Sequence, residues 1–140
     1  MSIDLFAVRS MLFLPASNPR AIAKARESKA DLVVLDLEDA VKAGNKQAAR
    51  DAAVEAVASD WRMPVGIRIN GVGTEWHSLD LDAAARSGAD LAVLPRAASA
   101  HLAREVREAV GKPLLAMIET ASGVIAAPTI AQEVGGWIRG

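Results

Sequence analysis

Four charged side chains stand where apolar runs end: Glu38 and Asp39 in LDLEDAV (35–41), Arg68 in VGIRIN (65–70) and Glu119 in AMIET (116–120). A buried parallel strand that closes on polar groups delivers them to the rim of a sheet, where they can act on a ligand. Arg68 lies between Ile67 and Ile69, so in an alternating strand it faces away from both, and Asn70 shares its side. A guanidinium there offers a planar fork for a carboxylate or an enolate oxygen; the alternative is a structural ion pair with a core acid. Glu119 is a hard oxygen donor at a strand terminus, which suits magnesium, an ion that takes one or two protein carboxylates and keeps several waters. The alternative is an acid favoured by a helix macrodipole, because Thr120 and Ala121 begin the next connection. Asp36, Glu38 and Asp39 form a dense acidic cluster in which Asp36 and Glu38 share a face and Asp39 begins a loop. Such a cluster could hold metal-bound waters, orient Arg68 or solvate the rim, and its burial demands a nearby cation.

These groups need a frame, and the chain supplies one unit repeated. Apolar runs occur at 11–15, 32–37, 65–70, 91–96 and 114–120, and helical patterns follow them. The first helix is announced by Ser17 or Asn18 as cap, Pro19 in the first turn, and Ile22, Ala25 and Ala30 on one side. Further helices are expected over about 45–59, 78–87, 99–110 and 123–134, with Pro128 kinking the last or marking its true first turn. Gly88, Gly111 and Gly135 stand where helix ends call for a left-handed residue. Strands separated by single helices require parallel pairing and right-handed crossovers, hence an α/β fold. No G-x-G-x-x-G follows the first run, and polar residues close all five, which favours a (β/α)8 TIM barrel over a doubly wound sheet.

Composition narrows the partners. Of 140 residues, 51% are hydrophobic and 24% charged, and the formal charge is −1 with both signs interspersed, so neither a nucleic-acid footprint nor a membrane patch is expected. The absence of cysteine rules out disulfides, thiolate metal sites and cysteine nucleophiles, and it suits a cytoplasmic address. The N-terminus carries Asp4 and Arg9 where a signal peptide needs bases and then an unbroken apolar run. HExxH, the nucleophile elbow and the Walker loop are all missing; His77 and His101 read as a loop hydrogen-bonder and a solvent-facing helix residue.

Five segments in order, RSMLFLPASNPRAIAKA, ADLVVLDLEDAV, RIN with GTEWH, GADLAVLPRA and LLAMIETASGV, resemble the HpcH/HpaI aldolase family, within it the citrate lyase beta-subunit-like and malyl-CoA lyase branch. The resemblance runs from Arg9 to about Val134. It implies a TIM barrel that uses a divalent metal, usually magnesium, to make or break a C–C bond between an acyl-CoA enolate and a 2-oxo acid, and that assembles as homo-oligomeric trimers or hexamers. It makes Arg68 the substrate-binding arginine and Glu119 a metal ligand, with Glu38 and Asp39 serving the catalytic group beside them. Arg20 and Lys24 correspond to basic residues that help bind the CoA phosphates or adenine; for Lys24 a solvated helix face is the alternative. Ala16 replaces a glycine and Arg96 a lysine common in relatives. A complete barrel has eight strands and about 250 residues. The expectation is therefore that residues 1–140 form one domain, the N-terminal portion of a barrel with five βα units, and that Gly136–Gly140 begin a sixth strand. A second metal carboxylate and an acid/base aspartate, implied farther along the family's chain, would follow Gly140. The expected reaction is cleavage of a β-hydroxy acyl-CoA such as citryl-CoA or malyl-CoA into acetyl-CoA and a 2-oxo acid. A CoA-independent aldolase and a non-catalytic half-barrel that binds ligands or partner chains are the alternatives.

Overall fold

The computed structural model describes residues 3–140, and the apolar runs become the strands of one parallel sheet. In chain order the elements are β1 (Met11–Pro15), α1 (Pro19–Arg26), β2 (Leu32–Asp36), a 3-10 turn (Ala43–Asn45), α2 (Lys46–Val57), β3 (Val65–Arg68), α3 (His77–Arg86), β4 (Leu91–Leu94), α4 (Ala100–Val110), β5 (Leu114–Met117), α5 (Ala121–Glu133) and β6 (Ile138–Arg139). The strands stand side by side in sequence order, each parallel to the one before. A doubly wound sheet reverses its order partway along, whereas sequential order is that of a barrel wall. The five expected units are present and a sixth strand follows within Gly136–Gly140 as expected, an arc of the wall and not a closed ring among the described residues. β6 is two residues long, paired through Ala116↔Ile138 and Met117↔Arg139.

The pleat sorts side chains between two cores. Val33, Leu35, Ile67, Leu94 and Ala116 face the helices and meet Ile22, Ala25, Ala53, Ala84, Val106 and Ile130. Alanine at the helix contacts lets the helices lie close to the strands, and each fully buried Leu or Ile contributes about 1.5–3 kcal/mol. The other face carries Phe13, Val34, Val93, Leu115 and Met117, and Leu5, fully buried, packs into this cluster from the segment before β1. Helix starts follow the residues expected of them: Asn18, Ser99 and Thr120 accept hydrogen bonds from the amides of Ala21, Leu102 and Gly123. Pro128 lies inside α5 and is not its first turn. Gly111 and Gly135 are left-handed as expected, but Gly88 is not; there a Cβ would fall 3.1 Å from the Val57 carbonyl oxygen. Among the described residues no helix is long and apolar enough to cross a membrane.

Strands two to five end earlier than their apolar runs, so Glu38, Asn70, Arg96 and Glu119 lie in the connections just past the paired residues. Asn70, expected to share the side of Arg68, lies two residues beyond it in such a connection. Its amide is drawn to Asp80 of α3, a fully buried carboxylate. Asp80 Oδ2 accepts from Asn70 N at 2.8 Å and Nδ2 at 2.5 Å, while Oδ1 accepts from Arg50 Nε at 2.8 Å. Asn70 Nδ2 also donates to the Leu37 carbonyl at 2.9 Å, so one acid ties α2 and α3 to the ends of β2 and β3. Asp80→Ala would strand the buried Arg50 charge and should lower stability by about 3–5 kcal/mol, read from urea unfolding. Asp80→Asn, which keeps an acceptor for one donor, should cost less.

Candidate active site

Arg68 is the last residue of β3 and stands opposite Asp36, the last residue of β2, in the parallel register. Strand alternation puts both on the face that carries Phe13, Val34 and Met117. The register makes the pair bidentate: Nε donates to Asp36 Oδ1 and Nη2 to Oδ2, both at 2.7 Å. Asp36 is further held by the amides of Glu38 (2.9 Å) and Ala40 (3.0 Å), one on each oxygen. Burial pushes the Asp36 carboxyl up, but the guanidinium and these two amides outweigh it and hold it below the ordinary aspartate value. Burial likewise opposes the Arg68 charge, and the hydrogen-bonded Asp36 overcomes it, so the guanidinium stays firmly protonated. The Phe13 ring lies under the guanidinium, 5.2 Å from its centroid.

Half of the fork remains for other business. Nη1 lies 3.5 Å from Glu38 Oε1 and 3.9 Å from Met117 Sδ, neither a strong partner. Glu38 is buried, yet its Oε1 accepts no hydrogen bond, and its Oε2 is 4.0 Å from Arg96 Nε. Burial lifts the Glu38 carboxyl above its ordinary value; Arg68 opposes this, and Asp39, Asp36 and Glu119 reinforce it. The cation that the acidic cluster demanded is threefold: Arg68, Arg96 and a residue that pattern reading missed, Lys46. Its ammonium is buried and donates to the carbonyls of Leu37 (2.7 Å) and Glu38 (2.6 Å), with the Trp76 ring 5.1 Å away. Burial draws Lys46 below its ordinary value against the pull of Asp36, Asp80 and Glu38.

A cavity of about 560 Å3 opens beside this group, lined by Glu38, Asp39, Lys46, Asn70, Trp76 and Arg96 among others. Asp39 is exposed in that lining, and its charge acts on Arg68 and Glu38 without a hydrogen bond to either. Glu119, also exposed, accepts a hydrogen bond from the Arg96 amide at 3.0 Å through Oε2. The helix-acid alternative for Glu119 does not hold, since Thr120 caps α5 and no acid lies in its first turn. Among the described residues no three histidine, cysteine or carboxylate side chains gather as a metal cage. Magnesium does not require one, since it takes one or two protein carboxylates and keeps several waters, and the exposed Glu119 carboxylate fits that need. Arg20 and Lys24 lie exposed on α1, in no ion pair or hydrogen bond among the described residues, and the structure does not bring them to Arg68. His77 Nδ1 donates to the Asn70 carbonyl at 2.8 Å, and His101 faces solvent beside Glu105, both as read from the sequence. Ala16 is fully buried, so its Cβ is accommodated within the core.

Comparison with known proteins meets this geometry from outside. The model of the HpcH/HpaI aldolase/citrate lyase family matches residues 9–138. The chain is similar to a (3S)-malyl-CoA thioesterase of Cereibacter sphaeroides, 40% identical over 126 residues that make up 88% of this chain and 44% of that protein. It is also similar to a citrate lyase subunit beta-like protein of Mycobacterium tuberculosis, 40% identical over 120 residues, 86% of this chain and 42% of the relative. Among solved structures, the CitE protein of M. tuberculosis in complex with magnesium, acetoacetate and coenzyme A superposes with a TM-score of 0.76 at 36% identity, covering 91% of this chain and 46% of that one. The chain thus spans less than half the length of the curated relatives it matches. With the ordered strands, the arginine at the end of β3 and the glutamate after β5 now joined by a family match over nearly every residue, the chain belongs to the HpcH/HpaI aldolase/citrate lyase family.

Proposed function

We propose that the protein is a magnesium-dependent carbon–carbon lyase that cleaves a β-hydroxy acyl-CoA, of the citryl-CoA or malyl-CoA kind, into acetyl-CoA and a 2-oxo acid. The observation that carries this reading is the half-engaged Arg68 fork, with Nη1 3.5 Å from a Glu38 oxygen that accepts no hydrogen bond. Of five guanidinium N–H groups, the one on Nε and one on Nη2 serve Asp36, and three remain for a substrate. Arg68 binds the carboxylate of the oxo-acid half and stabilises the enolate that develops as the bond breaks. Glu38, whose carboxyl burial has pushed up, takes the hydroxyl proton as the carbonyl forms, and the bonding pair passes to the thioester enolate. Protonation of that enolate gives acetyl-CoA. Glu119 would hold magnesium, which would supply Lewis-acid polarisation of the oxo-acid oxygens. Asp39 adjusts the Glu38 charge from the loop, and Arg20 and Lys24 attract the CoA phosphates to the rim. In this reading residues 1–140 are the N-terminal portion of a barrel domain that works in the cytoplasm as a homo-oligomer; α5 supports the oligomer, exposing Val124 and Ile125.

A second reading is thioester hydrolysis, favoured by the name of the C. sphaeroides relative. There Glu38 would activate water, and the products would be free CoA and the hydroxy acid. Product analysis separates the two: a 2-oxo acid appears only if the carbon–carbon bond is cut.

In the whole protein, Arg68→Ala should lower turnover by about two to three orders of magnitude, the scale of losing one electrostatic donor to a transition state. Full turnover by that variant would remove the arginine from the reaction. Glu119→Ala should raise the magnesium needed for half-maximal rate, and part of the loss should return at high metal.

The pair that holds Arg68 predicts a pH dependence. Asp36 binds its proton less readily folded than unfolded, so its stabilisation is complete above the ordinary aspartate pKa of about 3.9 and is lost as pH falls through the lower folded value. Urea unfolding followed from about pH 7 to about pH 2 should give Asp36→Asn a lower stability at neutrality and a shallower acid limb than the parent. Parallel acid limbs would mean the pair contributes nothing.

A further inference from the structure

Among the described residues, Arg96 is the one non-glycine residue with positive φ, at 50°. An L-residue does not hold this conformation without cause, and flanking structure over-determines it here. In the regular ladder Ala92 N donates to the Pro113 carbonyl, one residue before its Cα partner Leu114. Ala97 N donates to the Met117 carbonyl at 3.0 Å, which by the same rule sets Ala97 opposite Ile118. From the Leu94↔Ala116 pair, the β4 side has advanced three residues against two on the β5 side. Arg96 lies within this β-bulge, a device that re-aims one residue beside a site. Pro95 restricts the chain before it, and Ala97 after it is fully buried, with its carbonyl oxygen where a Cβ on Gly123 would come within 2.4 Å.

The bulge turns the Arg96 amide onto Glu119 Oε2 at 3.0 Å. The side chain does much less: it is 68% exposed, and Nε stops 4.0 Å from Glu38. We propose that Arg96 is a positioning residue whose left-handed backbone, not its guanidinium, sets the Glu119 carboxylate, a role that rests on the reading of Glu119 as a magnesium ligand. One oxygen is anchored by the amide and the other, which accepts no hydrogen bond among the described residues, is presented to the ion. The functional atom is then the backbone N–H, which every residue but proline supplies.

Two measurements on the full chain test this. Magnesium affinity by calorimetry should stay within about twofold in Arg96→Gly, which keeps the amide and favours positive φ, and weaken at least about fivefold in Arg96→Val, whose branched side chain resists it. Equal losses in both variants would assign the effect to the side chain and overturn the proposal. Amide hydrogen exchange reads the bond without metal: Glu119→Ala should speed exchange at Arg96 about tenfold or more while leaving Ala97, bonded to Met117, unchanged. An unaltered Arg96 rate overturns the proposal. If the parent chain binds no magnesium, the ligand reading of Glu119 fails, and the exchange result alone decides whether the backbone sets the carboxylate.

Discussion

The rim depends on the buried pair between Asp36 and Arg68. Removing two charges from water costs several kcal/mol per ion, and a pair recovers this only where the geometry is close and the remaining lone pairs are filled. Here both conditions hold on the acid: each Asp36 oxygen takes one guanidinium N–H and one backbone amide. The basic partner is treated differently. Its fork is aligned by Asp36 and underlain by Phe13, yet more than half of its N–H groups are left over. The structural and the functional readings of Arg68 are therefore one arrangement, in which the acid that justifies burial also aims the charge.

The same asymmetry governs the other charges. Lys46 is the nearest ammonium to the acidic cluster, but it spends its hydrogen bonds on the carbonyls of Leu37 and Glu38 and so stiffens the β2 connection without neutralising a carboxylate. Asp80 is consumed by Arg50 and Asn70. Glu38 is the group left with burial, three acidic neighbours and an oxygen that accepts nothing. Perturbation by burial together with specific charges marks functional carboxylates more often than structural ones.

Much of the frame was legible in the sequence because it rests on periodicity. The runs at 11–15 and 32–37, the caps Asn18 and Ser99, and parallel pairing all follow from local pattern and connection length. The start of β6 was placed within Gly136–Gly140, where it lies, but Gly88 was read as a backbone conformation when its constraint is the approach of Val57. At the site, Arg68 and Glu119 were visible as charges closing apolar runs. Lys46 and the Arg50–Asp80–Asn70 network were not, since their partners lie 8 to 30 residues away and meet only through the register of β2 with β3 and the seating of α2 and α3.

Main-chain donors share in securing three of these acids. Asp36 takes the amides of Glu38 and Ala40, Asp80 that of Asn70, and Glu119 that of Arg96. Such donors survive almost any substitution at their own positions, so the geometry is insensitive to which side chains decorate the connections and sensitive to the path of the backbone. That path is set in turn by tight contacts such as Ala97 against Gly123, which locks the start of α5 to the loop after β4. A rim built this way can vary an outward side chain such as that of Arg96 while the carboxylates stay in register with the arginine they surround.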